Sequence, residues 1–149
     1  MPRIDDPKLW YVYLPLALQS ILTSSGDVAN TVVNAVKSLK SQPIVIATSS
    51  TGILSTANKL PLLLKPFYKI LLAEPHVDKI NMENAIADNL SKWVLVRGAL
   101  YTNGKKKGKY RTGEMEVGYT ISRRDVADFI VRECLNGEKW IGKRPVVVY

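Results

Sequence analysis

The chain has 149 residues, of which 46% are hydrophobic and 23% are charged. This balance is typical of one globular domain and excludes a disordered or collagen-like chain. The single cysteine, Cys134, excludes an internal disulfide framework and a CxxC metal site, so we expect no metal. The net charge is +8, but five cations lie within residues 105–111, so no broad nucleic-acid-binding face is indicated.

Residues 1–26 are predicted to form an irregular apolar arm. Their longest apolar stretch, residues 9–22, is 14 residues long and contains Pro15. A membrane-spanning helix needs about 20 apolar residues, and no signal-peptide cleavage site follows this stretch. We therefore expect no membrane partner and a soluble, cytoplasmic protein.

The next elements alternate between helix and strand. Residues 27–40 show helical spacing of valines, with Ser25 as the expected N-cap. Residues 43–48 form an apolar β-branched run typical of a buried strand. Two prolines divide residues 60–73, so we expect a loop and a short helix there.

A second helix is predicted over residues 77–90, with Met82, Ile86 and Leu90 on one face, and a second buried strand over residues 93–97.

Glycines and lysines fill residues 103–120, for which we expect a hairpin or a long, mobile, solvated loop. A third helix is predicted over residues 123–136, with Ser122 as N-cap and Gly137 as C-cap signal. Residues 145–149 read as a closing strand.

Strands that alternate with helices predict an α/β fold with a parallel sheet and helices on both faces. Such folds bind ligands at the carboxyl ends of their strands. The candidate site therefore comprises residues 48–52 and 97–100.

Several segments in series resemble the carboxyl-terminal half of atypical short-chain dehydrogenase/reductases. The likeness is to the NmrA-like group, in particular the fungal oxidoreductases of the averufin-oxidase type (the avfA family). The segments are IVIATSSTGI at 44–53, EPHVDKINME at 74–83, WVLVRGALYTNG at 93–104 and GYTISRRDVADFI at 118–130. The chain contains no GxGxxG turn, so we expect residues 27–149 to form part of a Rossmann-like domain that lacks its glycine-rich βαβ unit.

The resemblance implies a bound NAD(P) and a set of site residues. In the family, a serine at a strand end acts with a Tyr-x-x-x-Lys pair, and the lysine holds the nicotinamide ribose. The matching catalytic candidates are Ser49, Ser50, His76 and Lys79; the cofactor-binding candidates are Thr48, Thr51, Gly52, Lys79, Arg97, Gly98, Ala99 and Leu100.

This sequence departs from the family pattern at two positions. Pro75 stands where the tyrosine is expected, so His76 or Tyr68 would have to move the proton. Gly98 stands where a proline usually follows the arginine, which we expect to loosen the turn after Arg97.

Each candidate also has a purely structural interpretation. His76 can cap a helix start, and the Ser49–Thr51 cluster can satisfy backbone groups in a tight turn. Lys79 and Glu83 are four residues apart and can form a surface ion pair.

The same holds for the polar residues of the third helix and for the cysteine. Asp125 can serve only the cap at Ser122, and Cys134 can be a buried, unreactive side chain. Arg123 and Arg124 are expected to be solvated, although one of them can reach a cofactor phosphate.

Two functions fit these residues. The first is an NAD(P)-dependent oxidoreductase related to fungal secondary metabolism, acting on an aromatic polyketide-like substrate. The second is a truncated, non-catalytic NmrA-like protein that acts through partner or weak nucleotide binding. Nucleic-acid binding through residues 105–111 is disfavoured, because the run contains Tyr110 but no interleaved set of aromatic residues. An exposed sheet edge predicts self-association or a covering partner.

Overall fold

The computed structural model describes residues 24–52 and 73–149, so the arm predicted at residues 1–26 and the loop and short helix at 60–73 fall almost entirely outside the described residues. The helices are α1 (Ser25–Lys37), α2 (Ala73–Asn89) and α3 (Arg123–Phe129), and α3 continues into a π-helical segment (Ile130–Cys134). The strands are β1 (Val45–Ser50), β2 (Trp93–Gly98), β3 (Leu100–Thr102), β4 (Arg111–Gly113), β5 (Thr120–Ser122) and β6 (Val146–Val148).

A four-stranded sheet with the order β1-β2-β6-β4 organises the described residues. Strands β1 and β2 are parallel, with Val45 opposite Trp93 and Ser50 opposite Gly98. Strand β6 continues the parallel part, and β4 pairs with β6 antiparallel. The predicted parallel α/β sheet is confirmed.

Helices cover both faces of this sheet. Because side chains alternate along a strand, one face of β1 and β2 packs on α1 and α2, and the other packs on α3. The first core comprises Ala29, Val33, Val36, Val45, Ala47, Met82, Ile86, Leu90, Trp93 and Leu95. The second comprises Ile46, Val94, Val96, Ile121, Val126, Phe129, Cys134, Trp140 and Val147. Met82, Ile86 and Leu90 share the buried face of α2, as their spacing predicts.

The prediction of a hairpin within residues 103–120 is wrong. Strand β4 pairs with β6, and β5 forms a separate two-stranded parallel sheet with β3. The reason is that the all-valine strand β6 is buried and needs a partner on its outer side, which β4 supplies. The segment is therefore divided between two sheets.

The ends of the helices differ in detail from the prediction. The N-cap of α1 is Ser24 rather than Ser25, and the predicted cap of α3 by Ser122 is confirmed. Gly137 does not have the left-handed φ of a C-cap glycine. The helix instead widens into a π-turn, which closes with a hydrogen bond from Leu135 N–H to the Ile130 carbonyl. Within residues 24–52 and 73–149, no helix has the length and apolar character needed to cross a bilayer.

Candidate active site

The strand ends of the predicted site lie side by side. Ser49 is opposite Arg97 and Ser50 is opposite Gly98 in the β1–β2 register. The backbone N–H of Thr51 donates to the Gly98 carbonyl at 2.9 Å, which extends the pairing beyond the strands. The two halves of the predicted site are thus brought together at the carboxyl edge of the sheet.

The predicted residues divide between the two faces of the sheet. Ser49 and Arg97 follow the alternation of the residues that face α1 and α2, whereas Thr48 and Ser50 follow the opposite face. Ala99 is buried between β2 and β3, and Leu100 begins β3 with an exposed side chain. Gly52 has φ of 86°, a left-handed conformation that favours glycine at the turn after β1.

A buried ion pair ties β2 to α2. The Arg97 Nε donates to Glu83 Oε1 at 2.9 Å, and Arg97 Nη2 donates to Glu83 Oε2 at 2.6 Å. Both side chains are 0% exposed, and Arg144 Nε adds a second arginine at 3.1 Å from Glu83 Oε2. Such a bidentate pair of hydrogen bonds between a guanidinium and a carboxylate is a strong form of charge-assisted hydrogen bonding. Arg97 therefore anchors the strand end to the helix.

Lys79 lies one helical turn before Glu83. Since Glu83 is level with Arg97 near the end of β2, Lys79 is about 6 Å further toward the carboxyl edge. Its side chain is only 5% exposed, and its Nζ donates to Ser25 Oγ at 3.3 Å. The interpretation of Lys79 and Glu83 as a surface ion pair is wrong, because the helix face that carries them packs into the core.

Burial is also the main influence on the ammonium group. Loss of solvent lowers the pKa of Lys79, while the charges of Asp78 and Glu83 partly oppose this effect. A buried lysine with a depressed pKa is a common feature of functional sites.

Asp78, the residue beside Lys79, clamps the start of α1. Its carboxylate accepts hydrogen bonds from Ser25 N at 2.8 Å and from Gly26 N at 3.0 Å. Burial alone would raise the pKa of Asp78, but the hydrogen bonds from Ser25 and Gly26 outweigh it and the pKa falls. No role for Asp78 is predicted from the sequence, although this residue lies in the segment at 74–83 that resembles the family.

The clamp also explains the misplaced N-cap. Ser24 caps α1 by accepting from Asp27 N, and Ser25 is left free to contact α2 through both its backbone and its hydroxyl. An acid that accepts from the first N–H groups of another helix is stabilised by the positive end of that helix dipole.

Gly98 makes the turn after Arg97 tighter rather than looser. A Cβ at position 98 would lie 2.5 Å from Cζ of Tyr101, so only glycine leaves room for this ring. The Tyr101 hydroxyl in turn donates to the Ser49 carbonyl at 2.6 Å. Tyr101 thus joins the two strand ends, and the expectation of a loose turn is wrong.

The predicted proton donors fall outside the described part of the chain. Tyr68 and the side chain of His76 are not among the described residues, so their roles stay predictions. Ser49 Oγ, by contrast, is buried without a hydrogen-bond partner among the described residues. Ser50 is half-buried on the opposite face.

Asp125 does far more than cap α3. Its carboxylate accepts from the Ser122 hydroxyl at 2.6 Å, from Lys107 N at 3.0 Å and from Gly108 N at 2.8 Å. The Tyr149 hydroxyl is a fourth donor. Burial opposes ionisation, but these donors together hold the pKa of Asp125 well below its usual range.

Cys134 and the two arginines at the start of α3 have the burial that the sequence predicts. Cys134 is buried as predicted, and burial raises the pKa of its thiol to about 12, which leaves no reactive thiolate. Arg123 and Arg124 are exposed as predicted, although Arg123 also donates to Asn103 Oδ1 at 2.6 Å.

Comparisons with known proteins agree with the fold of this chain. The profile of a family described as NAD(P)H-binding matches residues 13–136. The chain belongs to this family. Reductase pytE of Aspergillus terreus is 32% identical over 152 residues, which cover 85% of this chain and 58% of that protein. Oxidase pynE of Aspergillus niger is 31% identical over 126 residues, which cover 71% of this chain and 45% of that protein.

Solved structures share the architecture. A short-chain dehydrogenase/reductase from Veillonella parvula, solved with NADP, superposes with a TM-score of 0.74 at 15% identity and covers 95% of this chain. An anaerobilin reductase, ChuY from Escherichia coli O157:H7, gives 0.66 at 16% identity and covers 83%. The chain spans 63% and 58% of these two proteins, so it corresponds to about three fifths of each. This family member therefore has the oxidoreductase-like Rossmann architecture.

The described residues fit the nicotinamide end of such a cofactor. Lys79 supplies a buried ammonium group beside the strand ends, and Ser49 Oγ is a buried oxygen that has no hydrogen-bond partner among the described residues. These groups suit a ribose hydroxyl and a carbonyl oxygen. Because the sequence has no GxGxxG turn, this fit concerns the nicotinamide end of the cofactor and not its pyrophosphate.

Proposed function

We propose that this chain is part of an NAD(P)-dependent oxidoreductase of the NmrA-like, averufin-oxidase type. The observation that carries the proposal is the buried Lys79 at the carboxyl edge, fixed through Ser25 and flanked by Asp78. A lysine so placed can hold a nicotinamide ribose through hydrogen bonds and lower the pKa of a neighbouring proton donor. Bound NAD(P) would supply or accept the hydride.

The residues around Lys79 have distinct parts in this proposal. Ser49 would position the oxygen of the substrate group that gains or loses the hydride, and Ser50 is the alternative from the opposite face. Thr51 and Gly52, together with Arg97 through Leu100, would form the floor of the cofactor site. His76 is the proposed proton donor, because Pro75 occupies the tyrosine position.

We propose an aromatic, polyketide-like substrate and a role in fungal secondary metabolism. The reductase and oxidase names of the two Aspergillus relatives support redox chemistry. Next to the end of β2, the side chains of Leu100 and Tyr119 are 42% and 55% exposed, and Leu100 N donates to the Tyr119 carbonyl. An apolar pair of this kind beside a polar site suits a flat apolar substrate.

A second candidate function is a non-catalytic relative that binds a nucleotide or a protein partner. The specific observation in its favour is Pro75, which removes the tyrosine four residues before Lys79. This candidate keeps the role of Lys79 in cofactor binding and removes hydride transfer.

Fluorescence titration with NADPH and NADH tests the proposal. We expect saturable binding that is lost in Lys79→Ala and in Lys79→Met, which keeps the length of the buried side chain. Lys40→Ala, at an exposed position after α1, is the matched control and should bind as the parent chain does. Binding together with turnover of an aromatic ketone or quinone supports the enzyme, and binding without turnover supports the second candidate. No binding at about 1 mM cofactor, an affinity worth only about 4 kcal/mol, would refute the enzyme and the nucleotide-binding form of the second candidate.

A further inference from the structure

The lysine-rich segment 105–111 is anchored to the domain. Asp125 accepts from the backbone N–H groups of Lys107 and Gly108, and Gly108 has φ of 68°, which shapes the turn. The Tyr110 hydroxyl donates to Asp128 at 3.2 Å, and its ring packs edge-on against Phe129. Residues 103–109 are exposed, as expected for a solvated loop, and the hydrogen bonds to Asp125 tie the backbone that carries these cations to α3.

A surface cleft of about 580 Å³ lies against this segment. Its lining consists of three cations and two tyrosines: Lys107, Lys109, Tyr110, Arg111 and Tyr149. This volume falls in the usual range for sites that hold small molecules.

The positive charge of the cleft is only partly compensated. Lys106 is paired with Asp128, which also takes Arg132 at 2.9 Å. Within residues 24–52 and 73–149, neither Lys107 nor Lys109 forms an ion pair with a carboxylate. Lys107 Nζ instead lies 3.7 Å from the centroid of the Tyr149 ring. Two ammonium groups therefore face the cleft without a counter-charge.

Arg111 holds the far wall of the cleft. Its Nη2 donates to the backbone oxygens of Val117 and Tyr149 at 2.6 and 2.8 Å, and its Nη1 lies 3.4 Å from Glu116. The side chain is nonetheless 56% exposed, so a ligand can reach the guanidinium group. The guanidinium is held in place before any ligand binds, which reduces the entropy lost on binding.

The cleft is separate from the candidate active site. It lies at β4 and at the residue that follows β6, on the edge of the sheet opposite β1. Strand β4 is two strands away from β2, which corresponds to about 10 Å. Ligand binding at the cleft can therefore be tested independently of the proposed function.

We propose that this cleft binds a small molecule that carries two or more anionic oxygen groups, either phosphates or carboxylates. Lys107 and Lys109 contact the anionic groups, Arg111 adds the positive charge of its exposed guanidinium group, and the two tyrosine rings flank the body of the ligand. A cleft of this size, with lysines carried on a hydrogen-bonded turn, favours such a ligand over a long polymer.

Calorimetric titration with two probes at constant ionic strength tests this proposal. Inorganic pyrophosphate represents phosphate ligands, and citrate represents carboxylate ligands. The test variant is Lys107→Gln/Lys109→Gln, and Lys109→Gln alone covers the case in which loss of the contact with Tyr149 disturbs the fold. The matched control is Lys139→Gln/Lys143→Gln, which removes the same charge from exposed lysines near Trp140, outside the cleft.

We expect saturable binding of at least one probe to the parent chain, and whichever probe binds tells which anionic group the cleft prefers. The affinity should fall roughly tenfold or more in the test variants and stay within about twofold in the control. Equal losses in both double variants would overturn the proposal, because they indicate only a general charge effect. If neither probe binds saturably at about 10 mM, the proposal is also overturned. So would tighter binding of single-stranded RNA with a steep salt dependence that the test variants flatten.

Discussion

Asp125 offers the sharpest test of how the α3 side of the domain is held together. Its carboxylate is fully buried and accepts from four donors that come from three parts of the chain. Asp125→Ala removes the acceptor and leaves these donors without a partner. Asp125→Asn keeps the shape but turns an NH₂ group toward N–H and O–H groups.

The expected cost follows from the burial and the number of donors. Hydrogen bonds to a charged group contribute about 1.5–3 kcal/mol each, but they are not additive around one carboxylate. Removing a buried, fully bonded charge costs about 3–5 kcal/mol, which we expect for Asp125→Ala. For a domain of this size, that loss lowers Tm by about 6–20 °C. Asp125→Asn should cost at least about 2 kcal/mol, since one acceptor becomes a donor.

Urea denaturation measures both variants against Asp88→Asn, an exposed aspartate on α2 whose substitution should change the free energy of unfolding by less than about 0.5 kcal/mol. The pH dependence adds a second criterion. Because the pKa of Asp125 is lower in the folded state than in the unfolded chain, its stabilisation is complete above about pH 4 and is lost as the pH falls. The difference between parent and Asp125→Asn should therefore shrink from pH 6 to pH 3. A cost below about 1 kcal/mol for Asp125→Ala, or a difference that does not change with pH, would refute this reasoning.

Three further predictions concern the strand ends and the sheet edge. Gly98→Ala should cost about 1–3 kcal/mol, because its Cβ meets the ring of Tyr101, and the cost should largely vanish in a Tyr101→Leu background; an undiminished cost in the double-mutant cycle contradicts the steric explanation. Glu83→Gln should cost about 3–5 kcal/mol by thermal or urea unfolding, because it leaves the buried Arg97 charge poorly compensated; a stability equal to that of the parent would show that the pair contributes nothing. Light scattering after size-exclusion chromatography should find self-association through β1, which has no strand on its outer side within the described residues, and a stable monomer at high concentration would count against an open edge.

Much of the fold follows from short-range patterns in the sequence. The short apolar runs at residues 43–48 and 93–97 identify the central strands by their length and β-branched residues, and the helical spacing of Met82, Ile86 and Leu90 identifies the helix. The order of elements then places the ends of β1 and β2 together, and the structure confirms this arrangement. The candidate site was placed for the same reason, since neighbouring parallel strands end at the same edge.

The partners of charged residues could not be predicted in this way. The spacing of Lys79 and Glu83 is the same on an exposed helix face as on a buried one, and only packing against β2 reveals that Glu83 serves Arg97. Asp125 reaches backbone groups 17 and 18 residues away, which no local pattern encodes. The role of Gly98 was misjudged because the ring that needs the space belongs to another strand.

Asp78 and Lys79 act as one electrostatic unit. The carboxylate of Asp78 covers the positive pole of α1, which would otherwise lie beside the ammonium group of its neighbour. Without that cover, two positive centres would meet across the contact between the two helices, and the pKa of Lys79 would fall further. The acid at position 78 therefore favours the charged form of the lysine at position 79, and natural variants that neutralise one residue should also change the other.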